Sequence, residues 1–499
     1  MASDVQRPND LAQRLDGVLR REGHDVRGEI LESLLETLYF ASLRTEEGES
    51  IRCQVAYMDP ANPDPSPPKR VVKDRWQVTA LGSSITLNVA SVVKLAKATD
   101  PRTSSFAVYE DANGGVQIWG LVDQGNQYHD FVNFDSGSGP LPPGVFLASI
   151  DGPGQITVRR RFMPIGTLRI DRILVETVDV FHTGPVRDAL RPGIDMNISR
   201  AREVVGQEVF DYHGHWELSL TQTWIATLCR LLLRARHYGH GGALLITPDD
   251  TEIGLNIKYR LDYPRLVAAL DTRAKTVIRR VATEGEIHDL REDDVDEMPM
   301  GLYLEAVVER SDEDDNRSEL DGAIWFISLL TRVDGLVLMT PDLAVRGFGV
   351  EITLSDPPAT ISRALDAEAA STTNLAYTQY GTRHRSMMRY CWAIPGSVGF
   401  VVSQDGDVRV MTRRTDELLV WENPLLQMQI DRSLEDAEDT NGDTSGDADD
   451  GEGNSVATAG WRQGHSFSER VSSRRNFRER PLGAKGTGSP GVKPSGSPW

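Results

Sequence analysis

The residues with the clearest potential for chemistry form one short basic run, Gly381-Thr382-Arg383-His384-Arg385. Two guanidinium forks can each bind a pair of phosphate oxygens, and the imidazole and the hydroxyl add two further polar groups. Apolar residues follow at helical spacing, which predicts a helix that begins within or just after the run. Because the first turn of a helix has free backbone N–H groups, the run favours an anion. A solvated basic turn is the alternative interpretation.

The chain that surrounds this run is acidic. It has 54 Lys and Arg residues against 74 Asp and Glu residues, which gives a net charge of −20. This charge argues against nucleic acid and anionic membranes as partners, so a phosphate site must be a local basic pocket. A chain of 499 residues is too long for one core, and its length predicts roughly two to four domains.

The sequence also indicates a cytoplasmic setting. Cys53, Cys229 and Cys391 are far apart and show no paired spacing for zinc or for a disulfide framework. The N-terminus has no apolar signal core, and no apolar run approaches the roughly 20 residues that a membrane span needs. We therefore expect a cytoplasmic protein that has no membrane partner.

The first part of the chain is expected to be helical and then to turn to strands. Apolar residues recur at helical spacing up to residue 40, so we assign 1–40 to N-terminal helices. From Ile51 to Tyr57 apolar and polar residues alternate, and further strand-like segments follow between glycine and proline turns. We interpret 41–205 as a mainly β domain without a recognisable catalytic cluster.

Four histidines lie close together after this domain. They are His213, His215, His237 and His240. Their proximity suggests a metal site, but no cysteine or carboxylate pattern completes one. We favour the alternative interpretation, in which the last two histidines belong to the end of a helix.

Residues 206–430 have the order of elements that is typical of an α/β domain. The apolar pattern predicts a helix over Trp216–His237 and then a buried strand over 243–246. Acidic clusters over about 270–317 surround a single predicted helical piece, 302–308. We interpret this acidic interval as an insertion with a solvated face.

After the insertion, the pattern predicts a helix and then strands on both sides of the basic run. The segments are a helix over 324–330, strands over 336–339 and 343–352, a partly helical stretch over 355–378, and a hairpin over 398–403 and 408–411. The last interval, 431–499, has too few apolar residues for a core and is predicted to be a disordered tail.

This arrangement resembles the diadenylate cyclase (DAC) domain, which condenses two ATP molecules into cyclic di-AMP and pyrophosphate. The family pattern is a Gly-Ala-Leu-Ile-type strand, a helix that leads into Asp-Gly-Ala and a strand, a Gly-Thr-Arg-His-Arg run, and a strand ending in Ser-Glu. Here Gly242–Ile246 matches the first strand, 381–385 matches the run residue for residue, and Ser403 matches the serine. The resemblance covers about 216–430 without the insertion. It implies an α/β fold with a mixed sheet flanked by helices.

The Asp-Gly-Ala element has two candidates in this chain. Asp321-Gly322-Ala323 is the literal match, but a long apolar helix follows it. Asp334-Gly335-Leu336 lies between a predicted helix and a predicted strand, which is the context that the family pattern requires, although leucine replaces the alanine. We choose Asp334 and interpret Asp321 as a coincidence, with a helix N-cap as its structural role.

The resemblance implies a role for each matched residue. Asp334 would bind Mg²⁺ or Mn²⁺ near the attacking 3′-hydroxyl and the α-phosphate. The phosphates would be held by Arg383, His384 and Arg385, which complete the catalytic set. The nucleotide-binding residues would be Gly335, Leu336, Ile352, Gly381, Thr382 and Ser403.

The resemblance also implies partners besides ATP. The active unit of the family is a pair of facing DAC domains, each carrying one ATP, so we expect a homo-oligomer. The β-rich N-terminal domain resembles the sensor regions attached to some soluble bacterial DAC proteins (DACNV-like). We expect it to bind an unknown small molecule or protein and to control how the DAC domains face each other. A structural or dimerisation role is the alternative.

Two further departures from the family pattern leave other functions open. Cys391-Trp392 stands where several members carry Ser-Glu, and Gln404 replaces the glutamate that follows the strand serine. If those carboxylates help to place a metal ion, the domain is a weakly active or inactive nucleotide-binding regulator. A third hypothesis is a scaffold protein whose acidic surface and tail recruit partners.

Overall fold

The computed structural model describes most of the chain between residues 5 and 427. The described ranges are 5–24, 26–63, 76–136, 139–174, 178–207, 210, 216–248, 251–292, 299–404 and 406–427. The expected disordered tail over 431–499 lies outside these ranges, as do His213 and His215. Within them the chain is a mixed α/β fold with several sheets. No helix in these ranges is both long and apolar enough to cross a bilayer.

Helices and strands alternate through most of the described chain. The α-helices are α1 (Pro8–Arg21), α2 (Gly28–Ser42), α3 (Val89–Leu95), α4 (Gln127–Val132), α5 (Gly184–Val205), α6 (Trp216–His237), α7 (Arg265–Glu292), α8 (Met300–Leu330) and α9 (Thr382–Ala393). The strands are β1 (Thr45–Glu46), β2 (Glu49–Ser50), β3 (Cys53–Tyr57), β4 (Gln77–Thr86), β5 (Ser104–Glu110), β6 (Val116–Asp123), β7 (Phe146–Gly152), β8 (Gln155–Arg160), β9 (Met163–Arg169), β10 (Arg172–Leu174), β11 (Gly242–Ile246), β12 (Leu255–Tyr263), β13 (Leu336–Met339), β14 (Val345–Ile352), β15 (Ile361–Ala364), β16 (Thr372–Asn374), β17 (Val398–Val402), β18 (Val408–Arg414) and β19 (Glu417–Glu422). Short 3₁₀ turns cover Ala96–Ala98 and Tyr377–Gln379.

Eight of the described strands form the first sheet, in the order β10-β9-β8-β7-β3-β5-β6-β4. Its neighbours pair antiparallel except β3 and β5, which run parallel. Helices α1 and α2 pack on the sheet through leucines such as Leu15, Leu34 and Leu35, which are fully buried. Each buried leucine contributes about 1.5–3 kcal/mol, so these contacts hold the helices on the sheet. The helical pattern predicted up to residue 40 is confirmed.

Nine further strands of the described ranges form the second sheet, in the order β12-β14-β13-β11-β17-β18-β19-β15-β16. The inner strand β11 is parallel to β13 and antiparallel to β17. All three are buried along their whole length, as their continuous apolar sequences require. One core contains residues of α5, α6, α7 and α8, and a second core contains residues of α9. The second sheet is therefore mixed and flanked by helices.

Helix α5 differs from the sequence prediction, which assigns 184–205 to the mainly β domain. Its residues Val186, Leu190 and Ile194 are buried together with residues of α6 and the second sheet. The helix contains Pro192, a residue that locally argues against a helix. Tertiary packing therefore overrides local propensity in this segment.

The acidic interval over about 270–317 also differs from its prediction. In place of a short helical piece over 302–308 and a separate helix over 324–330, the chain forms two long helices, α7 and α8. The acidic side chains are only partly solvated, because Glu313 of α8 pairs with Arg280 of α7 at 2.8 Å. Pairs of this kind let a charged sequence continue as a helical hairpin.

Asp321 is not a helix N-cap, so that interpretation is wrong. It lies inside α8, and its carboxylate accepts a hydrogen bond from Arg230 of α6, whose side chain is only 5% exposed. Arg230 also pairs with Asp135 at 2.8 Å. Asp321 therefore helps to hold α6 against α8, whereas Asp334 has the expected place between a helix and a strand.

Four strands of the second sheet are absent from the sequence prediction. β15 and β16 lie within 355–378, which the pattern predicts to be partly helical, so that prediction is wrong apart from one 3₁₀ turn. β12 and β19 are the other two. These strands lie toward the ends of the sheet, where pairing with a neighbour decides the structure more than local propensity does.

The close docking of α5 gives a testable prediction. A Cβ atom at Gly193 would lie 1.8 Å from the carbonyl oxygen of Pro341, in the turn between β13 and β14. We expect Gly193→Ala to lower the free energy of unfolding by about 1–3 kcal/mol through overpacking, although alanine favours a helix. Urea unfolding followed by circular dichroism measures this change.

Gly17→Ala is the matched control for this measurement. Gly17 also lies inside a helix, but an added Cβ atom would meet nothing within 4 Å. This variant should equal the parent in stability or exceed it by about 0.5–1 kcal/mol. Equal stability of the Gly17 and Gly193 variants would contradict the docking of α5 on the turn.

Candidate functional site

The basic run forms the start of α9, as its sequence predicts. Gly381 precedes the helix in an extended conformation, and its carbonyl accepts the backbone N–H of Arg385 at 3.1 Å. The helix is held on the second sheet by buried residues that include Met387 and Cys391. Gly399 of β17 makes room for them, since a Cβ atom there would lie 2.4 Å from the Met387 side chain. This packing fixes the basic side chains at the rim of the sheet.

Strand register brings further elements to one edge of the second sheet. The paired residues are Gly242 with Val402 and Leu244 with Val337. When these registers are continued outward, Gly241 lies between Ser403 on one side and Asp334 on the other. Neighbouring strands are about 4.8 Å apart, so the backbones of Asp334 and Ser403 are separated by on the order of 10 Å.

The guanidinium of Arg383 reaches this edge. Its Nη1 atom lies 2.9 Å from the position that a Cβ atom would take at Gly241, whose φ is +68°. The same position is 3.1 Å from the carbonyl oxygen of Val402 and 3.2 Å from the backbone nitrogen of Gln404. Arg383 therefore lies beside the strand end that carries Ser403.

Two arginines of the run leave their guanidinium groups open to a ligand. Among the described residues, neither Arg383 nor Arg385 donates a side-chain hydrogen bond or has a carboxylate within ion-pair distance. Arg409 and Arg414 of the neighbouring strand, by contrast, both pair with glutamates. Two half-buried open guanidinium groups beside the N–H groups of a helix start can bind an anion with several oxygens.

Asp334 precedes β13 with an exposed carboxylate that has no hydrogen bond or ion pair within the described ranges. Gly335 has a φ of +112°, and a Cβ atom there would lie 2.6 Å from the backbone carbon of Gly349. Only glycine permits this conformation and this contact, so two strands approach each other closely beside the carboxylate. Leu336 and Ile352 belong to the same core as α9 and add an apolar surface.

Among the residues that the structure describes, Asp334 is a single carboxylate and not part of a preformed metal cluster. Within the part of the chain that the structure describes, no group of three or more His, Cys, Asp or Glu side chains is arranged to hold a metal ion. Mg²⁺ is commonly bound by one or two carboxylates together with substrate phosphates. The donor set fits a divalent ion that arrives with a phosphate ligand.

His384 is uncharged at neutral pH. Its Nε2 atom lies 3.1 Å from Nη1 of Arg409, and its ring centroid lies 5.8 Å from that of Tyr380. Burial, followed by the charges of Arg409 and Arg383, lowers the pKa of His384 to about 4, while Glu422 acts in the opposite direction. The basic run therefore contributes two positive charges at pH 7 and not three.

Ser403 begins the turn between β17 and β18. Its hydroxyl accepts the backbone N–H of Asp407 at 3.0 Å, and its own N–H donates to the Asp407 carbonyl at 2.7 Å. The Asp407 carboxylate accepts hydrogen bonds from Asn423 at 2.9 Å and from Arg169 of the first sheet. This turn therefore holds the serine in place and contacts the N-terminal sheet.

The residues predicted from the sequence come from the start of β13, the end of β14, the first turn of α9 and the end of β17. Strand register and helix packing bring these four places to one edge of the second sheet. Gly241, Asp407 and Arg409 also lie there, although no local sequence pattern distinguishes them. Their residue types are common in turns and strands. Their importance comes from long-range contacts, which a local sequence pattern does not show.

Comparison with known families supports the interpretation of the N-terminal sheet. The family model described as "Probable sensor domain DACNV" matches residues 26–123, which include α2 and the strands up to β6. This interval is about a fifth of the 499-residue chain, so it identifies a sensor-like segment and not the whole protein. No curated protein and no solved structure matches the chain significantly.

The contact between Gly241 and Arg383 gives a second prediction. Gly241→Ala would put a methyl group 2.9 Å from Nη1 of Arg383 and would displace the guanidinium. We expect the affinity for tripolyphosphate to fall by about tenfold or more, because one charge-assisted contact contributes roughly 1.5–3 kcal/mol. Isothermal titration calorimetry measures this loss.

Gly239→Ala separates displacement of the arginine from backbone strain. Gly239 has a similar φ of +65°, but an added Cβ atom would meet nothing within 4 Å. Both variants should lose roughly 1 kcal/mol of stability, while only Gly241→Ala should lose affinity for the anion. Parental affinity in both variants would mean that Arg383 takes no part in anion binding.

Proposed function

We propose that the chain is a diadenylate cyclase, which joins two ATP molecules into cyclic di-AMP and releases two pyrophosphates. The observation that carries this proposal is the single sheet edge shared by the open Asp334 carboxylate, the first turn of α9 and Ser403. A nucleoside triphosphate with a divalent ion requires such a combination of carboxylate, guanidinium groups and free N–H groups. The matched sensor family is named for its association with diadenylate cyclases, which supports the same activity.

Each half of the proposed reaction forms one bond and breaks one bond. The 3′-oxygen of one ATP loses its proton to solvent and bonds to the α-phosphorus of the other, and the bond from that phosphorus to pyrophosphate breaks. A second, identical step closes the ring. Negative charge grows on the phosphate oxygens in each step, and the guanidinium groups of Arg383 and Arg385 stabilise it. His384 and the backbone of Thr382 donate further hydrogen bonds.

Asp334 is the residue that would hold Mg²⁺ or Mn²⁺, and the ion would supply positive charge next to the α-phosphate. Gly335 lets the backbone approach the nucleotide closely. Leu336 and Ile352 offer an apolar contact to the adenine, since both lie on the α9 side of the sheet. Gly381 and Ser403 would lie beside the phosphates.

A homo-oligomer is part of the proposal, because each site holds one nucleotide and the reaction joins two. Two copies of the chain would present their sheet edges to each other, with the 3′-hydroxyl of each ATP directed at the α-phosphate of the other. One copy alone would bind ATP without closing the ring.

Nucleotide binding without turnover is the second candidate function. It is favoured by Gln404, whose backbone nitrogen lies 3.2 Å from the Cβ position of Gly241, at the same sheet edge. Where the family pattern has a glutamate, this edge carries a neutral amide. In this case the chain would be a regulator that changes its contacts when ATP binds.

The full-length protein tests the two candidates directly. Incubation with ATP and Mn²⁺ should give cyclic di-AMP, which is detected by mass spectrometry. Asp334→Asn should reduce the rate by at least about a hundredfold, because it removes the charged ligand of the divalent ion. The rate of product formation at saturating ATP is the quantity to compare.

Asp315→Asn is the control, since Asp315 is an exposed carboxylate on α8. It should keep the parental rate. ATP binding by the parent without product in Mg²⁺ or Mn²⁺ would favour the regulator. Parental turnover in Asp334→Asn would rule out this aspartate as the ligand of the ion.

We propose further that the first sheet controls the site through the Ser403 turn. Arg169 of β9 pairs with Asp407, and the backbone N–H of Asp407 holds the Ser403 hydroxyl at 3.0 Å. A small molecule or protein that shifts the sheet would shift this turn, and with it the way two sites face each other. The matched sensor-like segment at 26–123 belongs to the same sheet.

Arg169→Gln tests this control. A partly exposed ion pair contributes only about 0–1 kcal/mol to stability, so the fold should persist. We expect the cyclase rate or the KM for ATP to change by roughly fivefold, which is the lower range of allosteric coupling. Steady-state kinetics on the full chain measure both quantities.

Arg172→Gln is the matched control, because Arg172 lies directly opposite Arg169 on β10 and is exposed. Its kinetics should equal those of the parent. If Arg169→Gln behaves in the same way, the ion pair carries no control.

A further inference from the structure

Arg409 of β18 lies in a cluster of charged and polar side chains beside the basic run, and its three guanidinium nitrogens face three different partners. Nε donates to Oε1 of Glu422 at 3.0 Å, and Nη2 lies 3.8 Å from Oδ2 of Asp407. Nη1 lies 3.1 Å from Nε2 of His384. The side chain is 18% exposed, and its guanidinium lies 5.4 Å from the centroid of the Tyr380 ring. These contacts fix its orientation.

The direction of the hydrogen bond between Arg409 and His384 follows from the chemistry of the two groups. A guanidinium has only donors and stays charged throughout the pH range of proteins. Nε2 of His384 must therefore accept, and an imidazole nitrogen accepts only when it carries no proton. A neutral imidazole with a bare Nε2 carries its proton on Nδ1.

We infer that Arg409 is a positioning residue, which keeps His384 in the neutral form with the proton on Nδ1 and so makes Nδ1–H the group that His384 offers to a ligand. Nε2 is occupied by the protein, and Nδ1 is the remaining polar atom of the ring. Arg409 acts through His384 and not by touching the ligand. The consequence for phosphate binding rests on the proposed function, but the position of the proton does not.

The charged groups that face His384 come from three elements. Arg383 lies on the same helix, Arg409 lies on β18, and Glu422 lies on β19. Glu422 is shared between Arg409 and Arg363 of β15, which it meets at 3.3 Å. If glutamine replaces Arg409, one cation disappears and Glu422 loses one of its ion-pair partners, so a proton on His384 becomes more favourable.

The imidazole ¹⁵N spectrum of the full-length protein tests the inference. Histidine is labelled, and the His384 signal is assigned by its loss in His384→Gln. In the parent we expect a neutral ring with the proton on Nδ1 and no titration down to about pH 5. In Arg409→Gln we expect a mixture of tautomers and a titration midpoint above that of the parent, because one of the two cations that lower the pKa of His384 is gone while its burial remains.

Arg413→Gln is the matched control for the spectrum. Arg413 lies on the same strand and donates to the carbonyl of Trp392 at 2.7 Å, near the opposite end of α9. Its replacement should leave the His384 signal as it is in the parent.

ATP binding gives a second readout. A protonated His384 adds a positive charge next to the phosphates. The affinity for ATP is measured at about pH 5.5 and at about pH 7.5. The ratio of the first affinity to the second should be roughly threefold to tenfold larger in Arg409→Gln than in the parent.

A proton on Nε2 of His384 in the parent protein overturns the inference, and that measurement does not depend on the folding of Arg409→Gln. The inference also fails if His384 in Arg409→Gln keeps a single Nδ1–H form and does not titrate. Expected spectra together with an absence of cyclase activity count against the proposed function alone.

Discussion

The candidate site depends on one packing contact, that of α9 against β17 in the second sheet. Met387 and Cys391 approach β17 closely because Gly399 has no side chain to exclude them. A helix is rigid over its 12 residues, so its buried face also determines where its first turn lies. Arg383 and Arg385 therefore owe their positions to apolar residues behind them. The binding groups are placed by the hydrophobic core and not by contacts with each other.

The arginines near this packing contact form two groups, those paired with a carboxylate and those left open to a ligand. Arg169 and Arg409 are paired with Asp407 and Glu422, so their charges are balanced within the protein. Arg383 has no such partner among the described residues. In a chain with a net charge of −20, the carboxylates at this edge neutralise the arginines that hold the structure and leave others for an anion. A local basic site is therefore compatible with an acidic protein.

The sequence predicts the parts of this site whose signals are local. The helix after the basic run and the buried strand after Gly335 have strong apolar patterns, and the context of Asp334 follows from them. Helix α5 and the contact of Arg409 with His384 depend on residues distant in sequence, so no local pattern reveals them. The length of helix α8 is hard to predict for the same reason. The sequence of α8 alone does not show that Glu313 pairs with Arg280 of α7.

The position of the first sheet limits how a signal could reach the site. The sensor-like match ends at residue 123, in β6, whereas the side chains of Arg159 on β8 and Arg169 on β9 reach residues that follow or lie within the second sheet. Between them lie β5, β3 and β7, which are joined by continuous hydrogen bonding. A hydrogen-bonded sheet moves more readily as one rigid body than by sliding of its strands. Sliding one strand would break all of its hydrogen bonds with the neighbouring strand and change the register. In the proposed control, a ligand at the matched segment therefore acts by tilting the sheet, and the Arg169–Asp407 pair converts that tilt into movement of the Ser403 turn.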